Sequence, residues 1–204
     1  FDEAKLLSRG NPKSFLNVVR ADINFPKDYD PYSDEVYKKA KANLEMLISD
    51  RVLIKEKNDS IYLYSQKLDD HIQYGIVATC HIEDYENGII KNNEKTRKVK
   101  ELDRVRYVES QNAHTGPVFL AYRDSKKIND HVDKLKLSKP LYHFVADDNV
   151  EHTLWKFNEN SEIINEFKKI PNAYVADGHH RSASAVKVGV DRRNNNRNHN
   201  GKEL

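Results

Sequence analysis

The sequence is poor in cysteine and has no long hydrophobic run. Cys80 is the single cysteine among 204 residues, so the chain cannot form an internal disulfide, and this suits a reducing compartment. No segment approaches the length of a membrane-spanning helix, and the first residues are neither basic nor apolar enough for a signal peptide. We therefore expect a cytoplasmic protein with no membrane partner, in which Cys80 is a buried, inert thiol within an apolar run.

An excess of charge of one sign is also missing. The formal net charge is +2, although 32% of the residues are charged and 38% are hydrophobic. This balance is typical of a polar globular protein, and it makes nucleic acid an unlikely partner because DNA-binding domains concentrate basic charge. The sequence also lacks the glycine-rich Walker loop that cradles ATP, so a phosphate donor need not be ATP.

The chain is long enough to bury the core of one domain. We expect a single α+β domain over residues 1–190, with a small helical or hairpin lobe at 33–66 as an option, and a polar loop or tail over residues 191–204. Because the sequence begins at Phe1 rather than Met and ends in a run without apolar residues before Leu204, we expect it to be part of a longer chain.

Hydrophobic periodicity predicts a mixture of helices and strands. Several predicted strands follow one another without a helix between them, which favours an α+β fold in which helices pack on a mixed sheet. The charged stretch from Lys91 to Arg106 is, by charge count alone, a solvated helix. We predict strands at 14–19, 60–66, 74–82, 118–122, 141–146, 153–157 and 173–176, and helices at 4–9, 33–48, 125–135, 161–169 and from 179 onward.

Apolar side chains recur at helical spacing in the second predicted helix, and we expect that stripe to be core. Trp155 is also expected in the core. The members of the stripe are Val36, Ala40, Leu44, Leu47 and Ile48.

The densest chemical motif is Asp-Gly-His-His-Arg-Ser at residues 177–182, where the last predicted strand meets the last predicted helix. The first N–H groups of a helix have no internal partner and favour an anion. Asp177, His180, Arg181 and Ser182 add a carboxylate, an imidazole, a guanidinium and a hydroxyl at that point. Phosphate handling requires this combination of groups.

A structural interpretation of the same motif is also available. Asp177 and Gly178 are common residues at a helix N-cap and in a turn, so they can serve as a cap alone. His179 and His180 are adjacent and point about 100° apart on a helix, so they cannot hold one metal ion as an i, i+4 pair does.

The motif resembles the signature of the domain of unknown function 1015 family. It is similar in turn to the Gly-x-His-Arg motif of the ParB/sulfiredoxin superfamily, whose members bind nucleotides or phosphates and include free serine kinases. The resemblance implies a ParB/sulfiredoxin-like phosphate-binding strand–turn–helix. Further segments that resemble the family in order are residues 11–16, 84–91, 94–97, 112–120 and 152–155.

Three functions follow from this resemblance. The first is a small-molecule kinase that transfers a phosphoryl group to a hydroxyl, with free L-serine as acceptor, ADP, ATP or pyrophosphate as donor, and Mg²⁺ as cofactor. The alternative is a ParB-like nucleotide-binding regulatory module without catalysis. The third, a sulfiredoxin-like reductase, needs a reactive cysteine, for which Cys80 is a poor candidate. The sequence favours the kinase.

In the kinase, the resemblance gives each motif residue a role. Asp177, His180 and Glu94 would be catalytic, with Asp177 as the metal ligand or proton acceptor and Glu94 as the second carboxylate. Relatives usually carry His before that Glu, where this sequence has Asn93, and the change removes a titratable group. The residues that would bind phosphate or nucleotide are Gly178, His179, Arg181, Ser182, Thr96 and Arg97.

Two structural predictions follow. Glu94, Thr96 and Arg97 should lie beside Asp177, some eighty residues along the chain. Gly178 and the N–H groups of residues 180–182 should face an open pocket that can hold a phosphate. Asn112 and His114, which precede a predicted strand, are further candidates because loops present polar groups to sites.

Overall fold

A computed structural model describes residues 1–94 and 97–199 and confirms a mixed α+β fold. The helices are α1 (Asp2–Ser8), α2 (Leu16–Val19), α3 (Asp34–Ser49), α4 (Ile82–Glu86), α5 (Lys98–Gln111), α6 (Lys126–Lys136), α7 (Asn160–Phe167) and α8 (His179–Asn195), with a 3₁₀ helix at Ala21–Asn24. The strands are β1 (Tyr62–Leu68), β2 (His71–Val77), β3 (Ile90–Lys91), β4 (Phe119–Tyr122), β5 (Tyr142–Val145), β6 (Glu151–Lys156) and β7 (Ala173–Asp177).

The chain divides into two compact units. Unit 1 comprises Phe1–Lys55, Ile82–Ala121 and the described part of Tyr174–Leu204, whereas unit 2 comprises Glu56–His81 and Tyr122–Ala173. Within residues 1–94 and 97–199, no helix is both long and apolar enough to cross a bilayer.

Unit 2 is an antiparallel sheet with two helices packed against it. The strand order is β2-β1-β6-β5, and all three pairings are antiparallel. Leu63 of β1 and Trp155 of β6 are register partners, and both pack with Ile128 of α6 and Ile163 of α7. The burial of Trp155, which is 8% exposed, confirms its expected place in the core.

Unit 1 is mainly helical and carries a small sheet in the order β3-β7-β4. Leu44 and Leu47 of α3 pack on Val18, while Val105 and Val108 of α5 pack on Val188 of α8. Since Val188 is 3% exposed, α8 is held along one side by α5, and this contact fixes the direction of its N-terminus.

Gly189 brings α4 close to α8. A Cβ at position 189 would lie 2.6 Å from Cδ1 of Ile82, so the absence of a side chain permits this approach. The guanidinium of Arg193, one turn further on, donates to Glu83 at 3.1 Å and to Glu86 at 2.7 Å. These ion pairs hold the last turns of α8, which ends at Asn195. Residues 191–195 are therefore helical and do not form a loop.

The strand predicted at 14–19 is wrong, since Leu16–Val19 form the short helix α2. The β-branched residues at 18 and 19 favour a strand only weakly, and tertiary packing decides. Val18 is fully buried, and its backbone N–H donates to the carbonyl of Phe15 at 2.9 Å, which closes a helical turn.

The strand predicted at 74–82 is too long and is not central. β2 lies at an edge of its sheet and ends at Val77, because its partner β1 begins at Tyr62, which pairs with Val77. Residues beyond Val77 have no strand to pair with, and Ile82 begins α4. Cys80 is therefore exposed, and the prediction of a buried thiol is wrong.

The core stripe of α3 is confirmed except at its last member. Val36, Ala40, Leu44 and Leu47 are buried, but Ile48 is 54% exposed. Ile48 follows Leu47 by one residue, so its side chain points about 100° away from that of Leu47 and lies at the edge of the buried face.

Candidate functional site

The Asp-Gly-His-His-Arg motif forms a strand, a tight turn and a helix, as predicted. β7 ends at Asp177 and α8 begins at His179, with Gly178 as the N-cap between them. Gly178 has φ +89°, a left-handed conformation that glycine adopts without strain. Val175 of β7 is 2% exposed and anchors the strand in the core, while the polar end of the motif stays accessible.

Asp177 and Arg181 form an ion pair across the turn. Nη2 of Arg181 donates to Oδ2 of Asp177 at 2.5 Å, with the two side chains 34% and 70% exposed, respectively. At this exposure an ion pair adds little to folding stability, about 1 kcal/mol or less. Both groups therefore remain available to a ligand that offers better partners.

Two glycines make room for the Arg181 side chain. A Cβ at Gly178 would lie 3.1 Å from Nε of Arg181, and a Cβ at Gly116 would lie 3.0 Å from Cδ of the same residue. Gly116 belongs to the loop before β4, so two separate backbone segments flank one guanidinium. This contact connects the Thr-Gly-Pro segment at 115–117 to the motif.

Glu94 and Asn93 contact His179 from a third segment. Nδ1 of His179 lies 3.4 Å from Oε2 of Glu94, and Nε2 lies 3.1 Å from Oδ1 of Asn93. The His179 side chain is 11% exposed, whereas that of Glu94 is 69% exposed. Both partners are acceptor oxygens, so a neutral imidazole, with its single N–H, can donate to only one of them, whereas an imidazolium can donate to both.

The segment that carries Asn93 and Glu94 is itself held in place. The backbone N–H of Glu94 donates to Oδ1 of Asn92 at 3.1 Å, and Nδ2 of Asn92 donates to the hydroxyl of Tyr85 at 2.8 Å. The predicted approach of Glu94 to the motif is thus present, with His179 as the residue that it meets. Thr96 lies outside the described residues, and Arg97 is the exposed N-cap of α5.

Ser182 and His180 lie on the first turn of α8. The Ser182 hydroxyl donates to the carbonyls of His179 at 3.1 Å and Gly178 at 3.3 Å, and the N–H of Ser182 donates to Gly178 at 2.8 Å. Its proton and its N–H are therefore both used inside the helix. Nδ1 of His180 is buried and has no hydrogen-bond partner in the described part of the chain.

Asn112 and His114 meet the far end of α8 rather than its N-terminus. Oδ1 of Asn112 accepts a hydrogen bond from Nη1 of Arg192 at 2.7 Å, and Asn112 ends α5 with φ +50°. Desolvation lowers the pKa of His114, and the positive charge of Arg192 lowers it further. The hydrogen bond of Asn112 therefore links the C-terminal end of α5 to α8.

Sequence reasoning missed Gly116 as a neighbour of Arg181 and Asn93 as a partner of His179. The signal for Gly116 was the Gly-Pro pair before a strand, which marks a loop but does not say what approaches it. For Asn93, the loss of a titratable group leaves hydrogen bonding open, but the sequence does not indicate the partner. Its present contact, an amide oxygen at 3.1 Å from His179, uses its hydrogen-bonding capacity alone.

These features define an α+β protein with a charged strand–turn–helix junction, at which three chain segments meet. The chain belongs to the family described as Protein of unknown function (DUF1015), whose sequence model matches residues 1–204. That match confirms the family expected from the Asp-Gly-His-His-Arg motif and its companion segments. A comparison with curated proteins and one with solved structures each gave no match.

Proposed function

We propose that the protein is a small-molecule kinase that transfers a phosphoryl group to a hydroxyl, with free L-serine as its acceptor. The observation that supports this most is the contact between Glu94 and His179, the first helical residue of the Asp177–Arg181 motif. Two carboxylates, an arginine and an open helix N-terminus then belong to one unit of the fold. Phosphoryl transfer depends on such groups for positioning and for charge neutralisation.

In this proposal Arg181 and the N-terminal N–H groups of α8 bind the phosphates of the donor. The guanidinium already lies against Gly116 and Gly178, so its planar fork is oriented before the donor arrives. A phosphate attracts Arg181 more strongly than a single exposed carboxylate does, because it offers more acceptor oxygens and more charge. Donor binding would then release Asp177 from its ion pair.

Asp177 fits a Mg²⁺ ion that arrives with the donor. Magnesium usually keeps several waters and uses one or two carboxylates together with substrate phosphates. Within the described residues, no group of three or more His, Cys, Asp or Glu side chains could hold a metal ion without such help. When bound, the ion would neutralise developing charge on the phosphate oxygens.

Glu94 would accept the proton of the acceptor hydroxyl. The oxygen of that hydroxyl would form a bond to phosphorus, while the bond from phosphorus to the leaving phosphate breaks. His179 would keep the Glu94 carboxylate in position through the 3.4 Å contact. His180 would hydrogen-bond a phosphate oxygen, and because its unpartnered Nδ1 is buried, the ring would have to rotate to bring that nitrogen to the ligand.

The test is formation of phosphoserine from free L-serine and Mg²⁺ with ATP, ADP or pyrophosphate as donor. Asp177→Asn should lower the rate by about 100-fold or more, because it keeps the shape and removes the charge. Asp130→Asn is the matched control, since Asp130 also forms an exposed i, i+4 ion pair, with Lys126 at 2.9 Å, and lies in the other unit.

Two more variants separate the roles. Glu94→Gln should reduce the chemical step more than donor binding, whereas Arg181→Lys should weaken donor binding by about tenfold through loss of the bidentate fork. Tight binding of a nucleoside triphosphate without phosphoserine from any donor would instead favour a nucleotide-binding regulatory module. Full activity in Asp177→Asn would refute the mechanism.

A further inference from the structure

Unit 2 contains a groove that the proposed kinase chemistry does not use. Its volume is about 410 Å³, within the range of small-molecule sites. Leu63, Ser65 and Lys67 of β1 alternate with outward residues and so share the helix-facing side of the sheet. Leu63 is covered by α6 and α7, whereas Ser65 and Lys67 line the groove.

The floor of the groove is polar where a core would normally be apolar. Ser65 is 5% exposed and Thr153, its register partner, is 7% exposed. The Thr153 hydroxyl lies 3.1 Å from Nδ1 of His143. The Ser65 hydroxyl is not among the fully buried polar atoms that lack a partner in the described residues, so it faces the groove, where water or a ligand can bond to it.

One end of the groove carries two opposite charges that are partly exposed, with 42% of the Lys67 side chain and 34% of the Glu151 side chain accessible, and that are not joined by a direct hydrogen bond. Nζ of Lys67 lies 3.6 Å from Oε2 of Glu151, and Nδ1 of His143 lies 3.9 Å from Oε1 of Glu151. Both distances exceed that of a hydrogen bond. The ammonium and the carboxylate can therefore each form a charge-assisted hydrogen bond with a ligand.

The lining selects against polyanionic ligands. One positive and one negative charge do not attract a polyanion such as a nucleotide. The same lining fits a small zwitterion with an apolar part.

We propose that this groove binds a free α-amino acid with an apolar side chain. The ligand ammonium would donate to Glu151, and its carboxylate would accept from Lys67 and from the Ser65 hydroxyl. The side chain would lie against Ile72, Tyr74 and Pro140, which line the same groove. The site lies in unit 2, so it stands independently of the phosphoryl transfer proposed for unit 1.

The test is a titration of the full chain with L-leucine, followed by amide NMR shifts at Ser65 and Thr153. N-acetyl-L-leucine lacks the ammonium and L-leucinamide lacks the carboxylate, so each should bind about tenfold more weakly or worse. L-serine should also bind more weakly, because it cannot cover the apolar wall. Equal binding of the three leucine forms, or no shift at millimolar L-leucine, would overturn the proposal.

Substitutions provide the second arm. Glu151→Gln and Lys67→Gln should each weaken L-leucine binding by about tenfold. Glu56→Gln and Lys156→Gln are the matched controls, because Lys156 and Glu56 form an exposed ion pair of 3.0 Å in the same unit. An equal loss of L-leucine affinity in both pairs of variants would refute the site. Asp177→Asn should leave L-leucine binding unchanged even if it abolishes kinase activity.

Discussion

The β1–β2 hairpin of unit 2 and the candidate site of unit 1 differ in how far apart along the chain their contacting residues lie. In unit 2, β1 and β2 pair from Leu68↔His71 to Tyr62↔Val77, so one tight turn joins them. In unit 1, Asn93 meets His179 across 86 residues of sequence. A hairpin therefore forms from local pattern, whereas the candidate site forms only when distant segments pack. This contrast predicts that the two units respond differently to substitution.

The largest expected effect comes from truncating a core leucine in each unit. Leu63 in unit 2 is fully buried and Leu47 in unit 1 is 2% exposed, so Leu63→Ala and Leu47→Ala should each cost about 3 kcal/mol of unfolding free energy. Hydrogen exchange would show where protection is lost. If each substitution lowers hydrogen-exchange protection only in its own unit, the two units unfold separately. An equal loss of protection in both units would show that the chain unfolds as one cooperative unit.

The second prediction concerns alkaline pH and unit 1. Burial raises the pKa of Tyr107 to about 12. Arg104 lowers this pKa and Asp103 raises it, and both effects are smaller than that of burial. A folded pKa above the unfolded value of about 10 means that the unfolded chain loses its proton first as pH rises. The contribution of Tyr107 to the free energy of unfolding is complete below pH 10. Between about pH 10 and 12 this contribution falls by about 2 to 3 kcal/mol.

Tyr107→Phe should remove much of this alkaline slope in urea unfolding. Tyr37 contributes with the same sign, because burial and its hydrogen bond to Asp103 raise its pKa. The double variant with Tyr37→Phe should therefore flatten the slope further. An unchanged slope in the double variant would show that neither phenol controls the alkaline transition.

Prediction from sequence succeeded where the interaction was local. The strands predicted at 141–146 and 153–157 are confirmed as the antiparallel pair β5 and β6, and Asn149 lies between them at φ +64°. The strand–turn–helix at Asp177–His179 was also predictable, since glycine permits the turn and apolar residues flank it. The apolar, β-branched composition failed to predict the structure at 14–19 and beyond Val77 because packing partners, and not propensity, set those boundaries.

The candidate site was only half predictable for the same reason. The resemblance brought Glu94 to the motif, but no local pattern indicates that His179 rather than Asp177 is the contact of Glu94. Likewise, no periodicity indicates that Gly116 leaves space for Arg181, because that requirement arises from the approach of two loops.

The third prediction compares a crowded glycine with an open one. Gly116→Ala would place a Cβ 3.0 Å from Cδ of Arg181, whereas a Cβ at Gly75 of unit 2 meets nothing within 4 Å. Gly116→Ala should displace Arg181 from Asp177 and cost about 1 kcal/mol. Gly75→Ala should be neutral or stabilising by about 0.5 kcal/mol. Urea unfolding, with the NMR signal of Arg181 Nε–H, would measure both, and equal effects would contradict the crowding.

The smallest expected effect concerns the hydrogen bond between Asn93 and His179. Asn93→Ala removes an exposed contact, so it should cost about 1 kcal/mol or less of unfolding free energy. Asn129→Ala is the matched control in unit 2, because Asn129 donates to Asp124 at 2.7 Å in an equally exposed side-chain pair. Alanine also favours the helix at position 129, so this control should not lose stability.

The informative measurement is therefore the orientation of the His179 ring and not the melting curve. Loss of the Asn93 contact leaves His179 held at Nδ1 alone, and nitrogen NMR of the imidazole should report a changed tautomer balance. Unchanged ring signals in Asn93→Ala would mean that Glu94 alone fixes His179.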